Sequence, residues 1–206
     1  MNENALEIVR LLEQEYPDAL CSLDYKKPYE LLFATRLAAQ CTDERVNKVT
    51  PALYSRYPTL QALAEARPED VEEIIRSCGF FHTKARDIIA ASIMLIADFG
   101  GVVPDNMDDL LKLPGVGRKT ANIILGDVYH KPAVVTDTHC IRLANRMGLA
   151  TGKDPFKVEQ QLAAIIPPEK QSDFCHRLVL HGRAVCQARR PRCDICILSG
   201  VCARKL

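Results

Sequence analysis

The chain has 206 residues, 48% of them hydrophobic, enough to bury one sizeable core or two small ones. It opens with acids (Glu3, Glu7) rather than a basic segment followed by an apolar run, and its longest apolar stretch, IIAASIMLIADF, is too short to cross a bilayer. A soluble, cytoplasmic protein without a membrane partner is expected. The net charge of +1 hides an asymmetry: residues 1–110 carry 11 Lys+Arg against 19 Asp+Glu, a net of −8, whereas residues 111–206 carry 16 against 7, a net of +9. A basic half joined to an acidic one suggests that the second half faces a polyanion.

Period-two alternation is nearly absent, and helical periodicity with Pro or Gly stops recurs along the chain. The first segment, NALEIVRLLEQEY, runs to Pro17, followed by PYELLFATRLAAQ and DERVNKVTPALYSRY. Two short segments, TLQALAEA and PEDVEEIIRS, precede a longer one, TKARDIIAASIMLIADF, stopped by Gly100-Gly101. Then come DNMDDLLKL, RKTANIILGDVYH, THCIRLANRMG, DPFKVEQQLAAII and SDFCHRLVLHGRAVC. About ten helices with short connections make an all-α protein. No solenoid-period repeat and no low-complexity linker is visible.

The connection LPGVGRKTA, residues 113–121, is more than punctuation. A Walker A loop is excluded, because Arg118 separates Gly117 from Lys119 and no strand precedes. What remains is helix, Pro-Gly-Val-Gly, helix. Gly115 and Gly117 can take positive φ and leave backbone N–H groups uncovered, and those amides suit a phosphate. Such a site reads the nucleic-acid backbone and not its sequence. A plain tight turn between helices is the other reading of the same glycines.

Four cysteines crowd the tail, CQARRPRCDICILSGVC. Cys186, Cys193, Cys196 and Cys202 have six, two and five residues between them. The other five (Cys21, Cys41, Cys78, Cys140, Cys175) are scattered, as small buried hydrophobes are. An odd total of nine and a reducing compartment argue against disulfides. Soft thiolates without histidine suit iron–sulfur or zinc. Only Cys193 and Cys196 form a CxxC pair, where zinc tetrads more often use two, so spacing leaves both metals open.

Hairpin, tail and the aspartate of VVTDTHCIRLANR occur in a characteristic order. LPGVGRKTA is similar to the helix–hairpin–helix element of the DNA-glycosylase superfamily that includes the endonuclease III family. Asp137, eighteen residues after Lys119, matches the aspartate-bearing loop of that superfamily, and the cysteine spacing resembles the [4Fe–4S] loop of endonuclease III. LAAQCTDERVNK and GFFHTKA resemble the family's DNA-inserting segments.

The resemblance implies two helical domains with a DNA-binding cleft between them. Residues 21–132 would form a six-helix domain bearing the helix–hairpin–helix motif; residues 1–20 and 133–206 would form the iron–sulfur cluster domain. It implies a bifunctional DNA glycosylase and abasic-site lyase acting on duplex DNA with oxidised or ring-saturated pyrimidines or abasic sites, as a monomer associated with the nucleoid.

The same resemblance assigns residues. Lys119 would be the nucleophile: an amine attacks only when neutral, and the positive end of a helix dipole together with burial against DNA favours that form. Asp137 would stabilise cationic character on the sugar and assist proton transfer; its plainer role is the N-cap of the following helix. Cys186, Cys193, Cys196 and Cys202 would hold a structural [4Fe–4S] cluster. Leu113, Gly115, Gly117 and Arg118 of the hairpin would meet phosphates, as would Arg189 and Arg190 of the tail.

Gln40 matches the inserting glutamine. The second inserting loop is usually Gly-Leu-Tyr-Asn in this family and here reads Gly79-Phe80-Phe81-His82. Phe80 keeps an apolar wedge, whereas His82 changes the polar contact. His139 is read as a structural hydrogen-bonding residue. The competing function classes are a non-catalytic iron–sulfur DNA-binding protein and an electron carrier; a hydride-trapped covalent complex with abasic DNA separates the enzyme from both.

Overall fold

The computed structural model describes residues 2–205, and among these the regular structure is entirely helical, without a strand. Eleven α-helices are present: α1 Glu3–Glu15, α2 Pro28–Leu37, α3 Asp43–Arg56, α4 Leu60–Ala64, α5 Pro68–Ile75, α6 Phe81–Phe99, α7 Met107–Leu110, α8 Arg118–Ile123, α9 Thr138–Met147, α10 Pro155–Ala163 and α11 Gln171–Ala184. A 3₁₀ turn, Arg76–Cys78, follows α5, and α8 passes into a π-helical turn, Ile124–Val128.

Local chemistry sets most helix starts. Asn2, Thr42, Thr59, Asn106, Asp137 and Asp154 each accept a hydrogen bond from a backbone N–H in the first turn that follows. Pro28, Pro68 and Pro155 sit at first helical positions, where a missing N–H costs nothing. Left-handed Gly100 and Gly148 end α6 and α9.

Two compact units result. Ser22–Val128 form one. Its core gathers Leu31, Phe33, Leu37, Leu53, Leu63, Ile75, Ile88 and Leu95, all essentially inaccessible to water. Within it α6 runs along α4 and α5, and α2 packs on α3 and α6.

Met1–Cys21 and Tyr129–Leu206 form the other unit. The N-terminal helix belongs here because its apolar face (Ala5, Ile8, Val9, Leu12) packs on α11. Three polar contacts fix the pairing. Lys170 Nζ meets Glu13 Oε1 at 2.7 Å, Arg177 Nε donates to the Tyr16 carbonyl at 3.2 Å, and Tyr16 Oη lies 3.1 Å from His181 Nδ1.

Two sequence expectations need correction. The segment PYELLFATRLAAQ is not helical to its end: α2 stops at Leu37, because Gln40 takes the left-handed conformation (φ 55°) and the carbonyls of Leu37 and Ala39 turn towards Lys84. α6 begins earlier than expected, at Phe81, directly after left-handed Phe80 and the positive-φ Gly79.

Candidate functional site: hairpin, aspartate loop, inserting loops and cysteine loop

The hairpin joins α7 to α8. Leu113 is buried, its N–H donates to the Leu110 carbonyl, and Val116 N–H donates back to the Leu113 carbonyl, closing the turn. Gly115 has φ +74°, and a Cβ there would lie 2.7 Å from both Arg36 Nε and Asp87 Oδ2. The conformation therefore demands glycine, and a side chain would in addition displace the Arg36–Asp87 pair. Gly117 departs from the expected positive φ. It has φ −103° and ψ 174°, is the N-cap of α8, and has open space where a Cβ would be. Its lack of a side chain leaves the turn's surface uncovered rather than relieving strain. Arg118 opens α8, partly covered. Lys119 is the second residue of α8 and exposed, and its ammonium makes no hydrogen bond or ion pair with another described residue.

Asp137 lies in the other unit, at the N-cap of α9. The four residues before it, Ala133 to Thr136, are buried, and Val135 N–H donates to Cys175 Sγ at 3.2 Å. A segment threaded through the core thus delivers the aspartate to a half-buried position. Oδ1 accepts from Cys140 N–H at 2.7 Å, and the carboxylate makes no other hydrogen bond among the described residues. The capping role is real, and it occupies one of the two carboxylate oxygens. His139 is half-buried, with Nδ1 3.1 Å from Arg142 Nη2, consistent with a structural role.

The loops bearing Gln40 and Phe80 share one anchor. Gln40 (φ 55°) and Phe80 (φ 48°) are both exposed and both left-handed, a conformation that costs a non-glycine residue about 1–3 kcal/mol and persists only where surroundings enforce it. Phe80 is 66% exposed, unusual for an aromatic ring without a partner to cover it. Between the loops lies a cavity lined by Arg36, Ala39, Gln40, Phe80, Thr83 and Lys84. Lys84 is fully buried, and Nζ donates to the carbonyls of Leu37, Ala39 and Cys78, each at 2.8 Å. Burial holds this ammonium below the ordinary lysine range. His82 is exposed, and its Nδ1 lies 2.6 Å from Glu72 Oε2, so this nitrogen is engaged within the protein.

Sequence reasoning assigned no role to Lys84. Its spacing held a signal, since positions 84, 88, 91 and 95 fall on one buried stripe of α6. A lysine on an apolar stripe demands acceptors.

The cysteine loop is tied to α9 and α11. Arg142 Nη2 donates to the carbonyls of Gly182 and Cys186, each at 3.1 Å. One turn further on, Arg146 donates to the carbonyls of Gln187 at 2.8 Å and Ala188 at 2.7 Å, and its Nη1 lies 3.5 Å from Cys186 Sγ. The returning arm of the loop is held by Lys205 N–H on the Arg146 carbonyl at 3.0 Å. Arg189 and Arg190 are exposed at the loop's edge.

Cys186, Cys193, Cys196 and Cys202 all line one cavity, with Val185 and Pro191 among its walls. Four cysteines around one space, with no histidine in its lining, suit an all-thiolate iron–sulfur cluster. The surroundings fit as well: Arg204 N–H donates to Cys202 Sγ at 3.4 Å, and His181 Nε2 lies 3.4 Å from Cys196 Sγ. Burial, and after it crowding by the other sulfurs, pushes the Cys196 thiol above its usual range. Cys196 as a ligand to iron would instead be held as the thiolate.

Comparison with known proteins decides between a common hairpin and a specific one. Residues 33–168 match the HhH-GPD superfamily base excision DNA repair proteins, and residues 186–202 match the iron–sulfur binding domain of endonuclease III. The chain belongs to this superfamily, in its endonuclease III family. The endonuclease III of Synechocystis sp. is 49% identical over 97% of this chain and 92% of its own length; that of Escherichia coli K12 is 40% identical over 97% and 95%. A solved endonuclease III–DNA covalent intermediate superimposes with a TM-score of 0.91 at 40% identity, covering 97% of this chain and 96% of that one. The protein is therefore a base excision repair enzyme of the DNA glycosylase/abasic-site lyase class, with a [4Fe–4S] tail domain. Among the described residues, no helix is long and apolar enough to cross a membrane.

Proposed function

We propose that this endonuclease III family member is a bifunctional glycosylase that excises oxidised or ring-saturated pyrimidines from duplex DNA and then cleaves at the abasic site. It acts as a cytoplasmic, nucleoid-associated monomer. The observation that carries the reading is Lys119, an exposed amine without a partner, two residues beyond an open glycine turn. The hairpin amides and Arg118 hold phosphates, with Leu113 anchoring the turn from beneath, and Arg189 and Arg190 add backbone contacts. Gln40 and Phe80 enter the duplex and fill the hole left by a flipped nucleotide. Glu72 competes for His82, so His82 contributes at most its other ring nitrogen.

The neutral Lys119 amine attacks the anomeric carbon, the glycosidic bond breaks, and the base leaves with a proton. Asp137 stabilises the positive charge that develops on the sugar, takes the proton released from the lysine nitrogen and passes it to the departing base. The sugar opens to a Schiff base, a proton leaves the 2′ carbon, and the 3′ phosphate is expelled. The cluster held by the four cysteines supplies structure: it fixes the loop that presents Arg189 and Arg190. Reduction by borohydride in the presence of abasic DNA should give a covalent adduct mapping to residue 119. An adduct at another lysine, or none, would overturn the assignment.

A further inference from the structure

One buried charge takes no part in this chemistry. Lys84 has no carboxylate partner; its three ammonium protons are matched by three carbonyls. The origin of those carbonyls is the informative part. Leu37 closes α2, Ala39 immediately precedes Gln40, and Cys78 lies two residues before Phe80. One ammonium group thus ties together two backbone segments about forty positions apart in sequence. Each segment leads directly into an exposed, left-handed residue that faces the same cavity. The turn Ala38–Gln40 has few other restraints: Cys41 N–H on the Ala38 carbonyl at 3.1 Å closes it locally. The 3₁₀ turn before Gly79 ends on a bond from Gly79 N–H to the Arg76 carbonyl at 3.4 Å.

We propose that Lys84 is the positioning residue for lesion recognition: its ammonium sets the two inserting loops at a fixed spacing, so that Gln40 and Phe80 enter the duplex as one unit. A neutral core of hydrophobic residues would stabilise the same helices without specifying that spacing. An ammonium with three short bonds specifies it, because losing any one bond leaves a buried donor or acceptor unmatched. The proposal rests on reading Gln40 and Phe80 as the inserting residues.

The test separates steps that need insertion from one that does not. Lys84→Met removes the charge at similar volume, Lys84→Gln retains two donors on a shorter stem, and Lys84→Arg retains charge and donors. Using both neutral variants keeps the comparison possible if one does not fold, and thermal melts confirm that each is native at the assay temperature. Nucleotide flipping is read by 2-aminopurine fluorescence beside a single 5,6-dihydrothymine in a duplex. Lyase turnover is read on a single-stranded oligonucleotide with a preformed abasic site, which needs no insertion.

Lys84→Met should reduce the fluorescence step and duplex excision tenfold or more while single-stranded cleavage stays within twofold of wild type, and Lys84→Arg should recover part of the loss. Equal losses in both assays, or none in either, overturn the proposal. Gln40→Ala and Phe80→Ala run alongside. If they leave flipping intact, the inserting-residue reading itself has failed. If they abolish it and Lys84→Met does not, only the positioning role has failed.

Discussion

Arg36 and Asp87 form an ion pair of 2.7 Å directly against the backbone of Gly115. This pair, contributed by α2 and α6, is the floor on which the hairpin turn rests, and it leaves no room for a methyl group.

Gly115→Ala should therefore destabilise the protein by about 1–3 kcal/mol from the left-handed backbone alone, with displacement of the ion pair in addition. The variant should melt earlier and bind undamaged duplex more weakly. Gly117→Ala should keep its melting temperature, because its φ is ordinary and its Cβ points into open space. It should still lose DNA affinity, since the added methyl covers the turn. Equal thermal shifts in the two variants would contradict this account.

Lys119→Gln should abolish hydride trapping and strand cleavage together while duplex binding persists, because the hairpin contacts are backbone groups. Asp137→Asn separates fold from chemistry. Asparagine caps helices as well as aspartate does, so the melting temperature should hold. Base excision should fall by about 10²–10⁴ with loss of the proton-transferring carboxylate, whereas trapping on a preformed abasic site should survive in part. Single-turnover excision and trapping assays on one preparation give both readings.

Replacing Arg189 and Arg190 by alanine should weaken DNA binding uniformly, without altering the preference for damaged over undamaged duplex. The slope of log affinity against log salt should fall by up to about 0.9 for each phosphate that is no longer neutralised. An unchanged slope returns the two arginines to an ordinary solvated surface.

The purified protein should be yellow-brown and carry the [4Fe–4S] cluster on Cys186, Cys193, Cys196 and Cys202. Removal of the iron, or Cys193→Ser, should raise amide exchange across residues 186–205 and into the last turn of α9, because Arg146 bonds the loop through both its guanidinium and its carbonyl. Residues 22–128, a separate compact unit, should keep their protection. Exchange rising evenly over the whole chain would contradict a local role for the cluster.

Burial, followed by the neighbouring Cys41 thiol, pushes the Cys78 thiol from 9.0 up to about 11. Only the thiolate reacts, so at pH 8 about one Cys78 in a thousand is reactive. Iodoacetamide should spare it in the native protein and label it after denaturation. The sign for stability follows from a raised acid: the contribution is fully present below pH 9 and is lost as pH rises towards 11. Labelling of native Cys78 at pH 8 as fast as a free thiol would refute its buried state.

What the sequence determined was local. Helical periodicity with Pro or Gly stops marked the helices, and Pro-Gly-Val-Gly before Arg-Lys-Thr marked the hairpin, because each depends on the backbone preferences of a few consecutive residues. Asp137 before an amphipathic segment marked an N-cap, and the family resemblance added its candidate catalytic role. The cysteine spacing alone admitted two metals; the family resemblance chose iron–sulfur, and the family match bears that choice out, with all four cysteines lining one cavity. The tertiary structure alone decided where distant residues meet. It ended α2 at Leu37, since the carbonyls of Leu37 and Ala39 serve Lys84, 45–47 positions away. It also made Gly115 obligatory through Arg36 and Asp87, and gave Arg142 and Arg146 to a loop some forty positions on. Lysines and arginines occur on every surface, and nothing in a linear pattern says which will be buried or what carbonyl will face it. That choice is made when helices pack and every enclosed donor must find an acceptor.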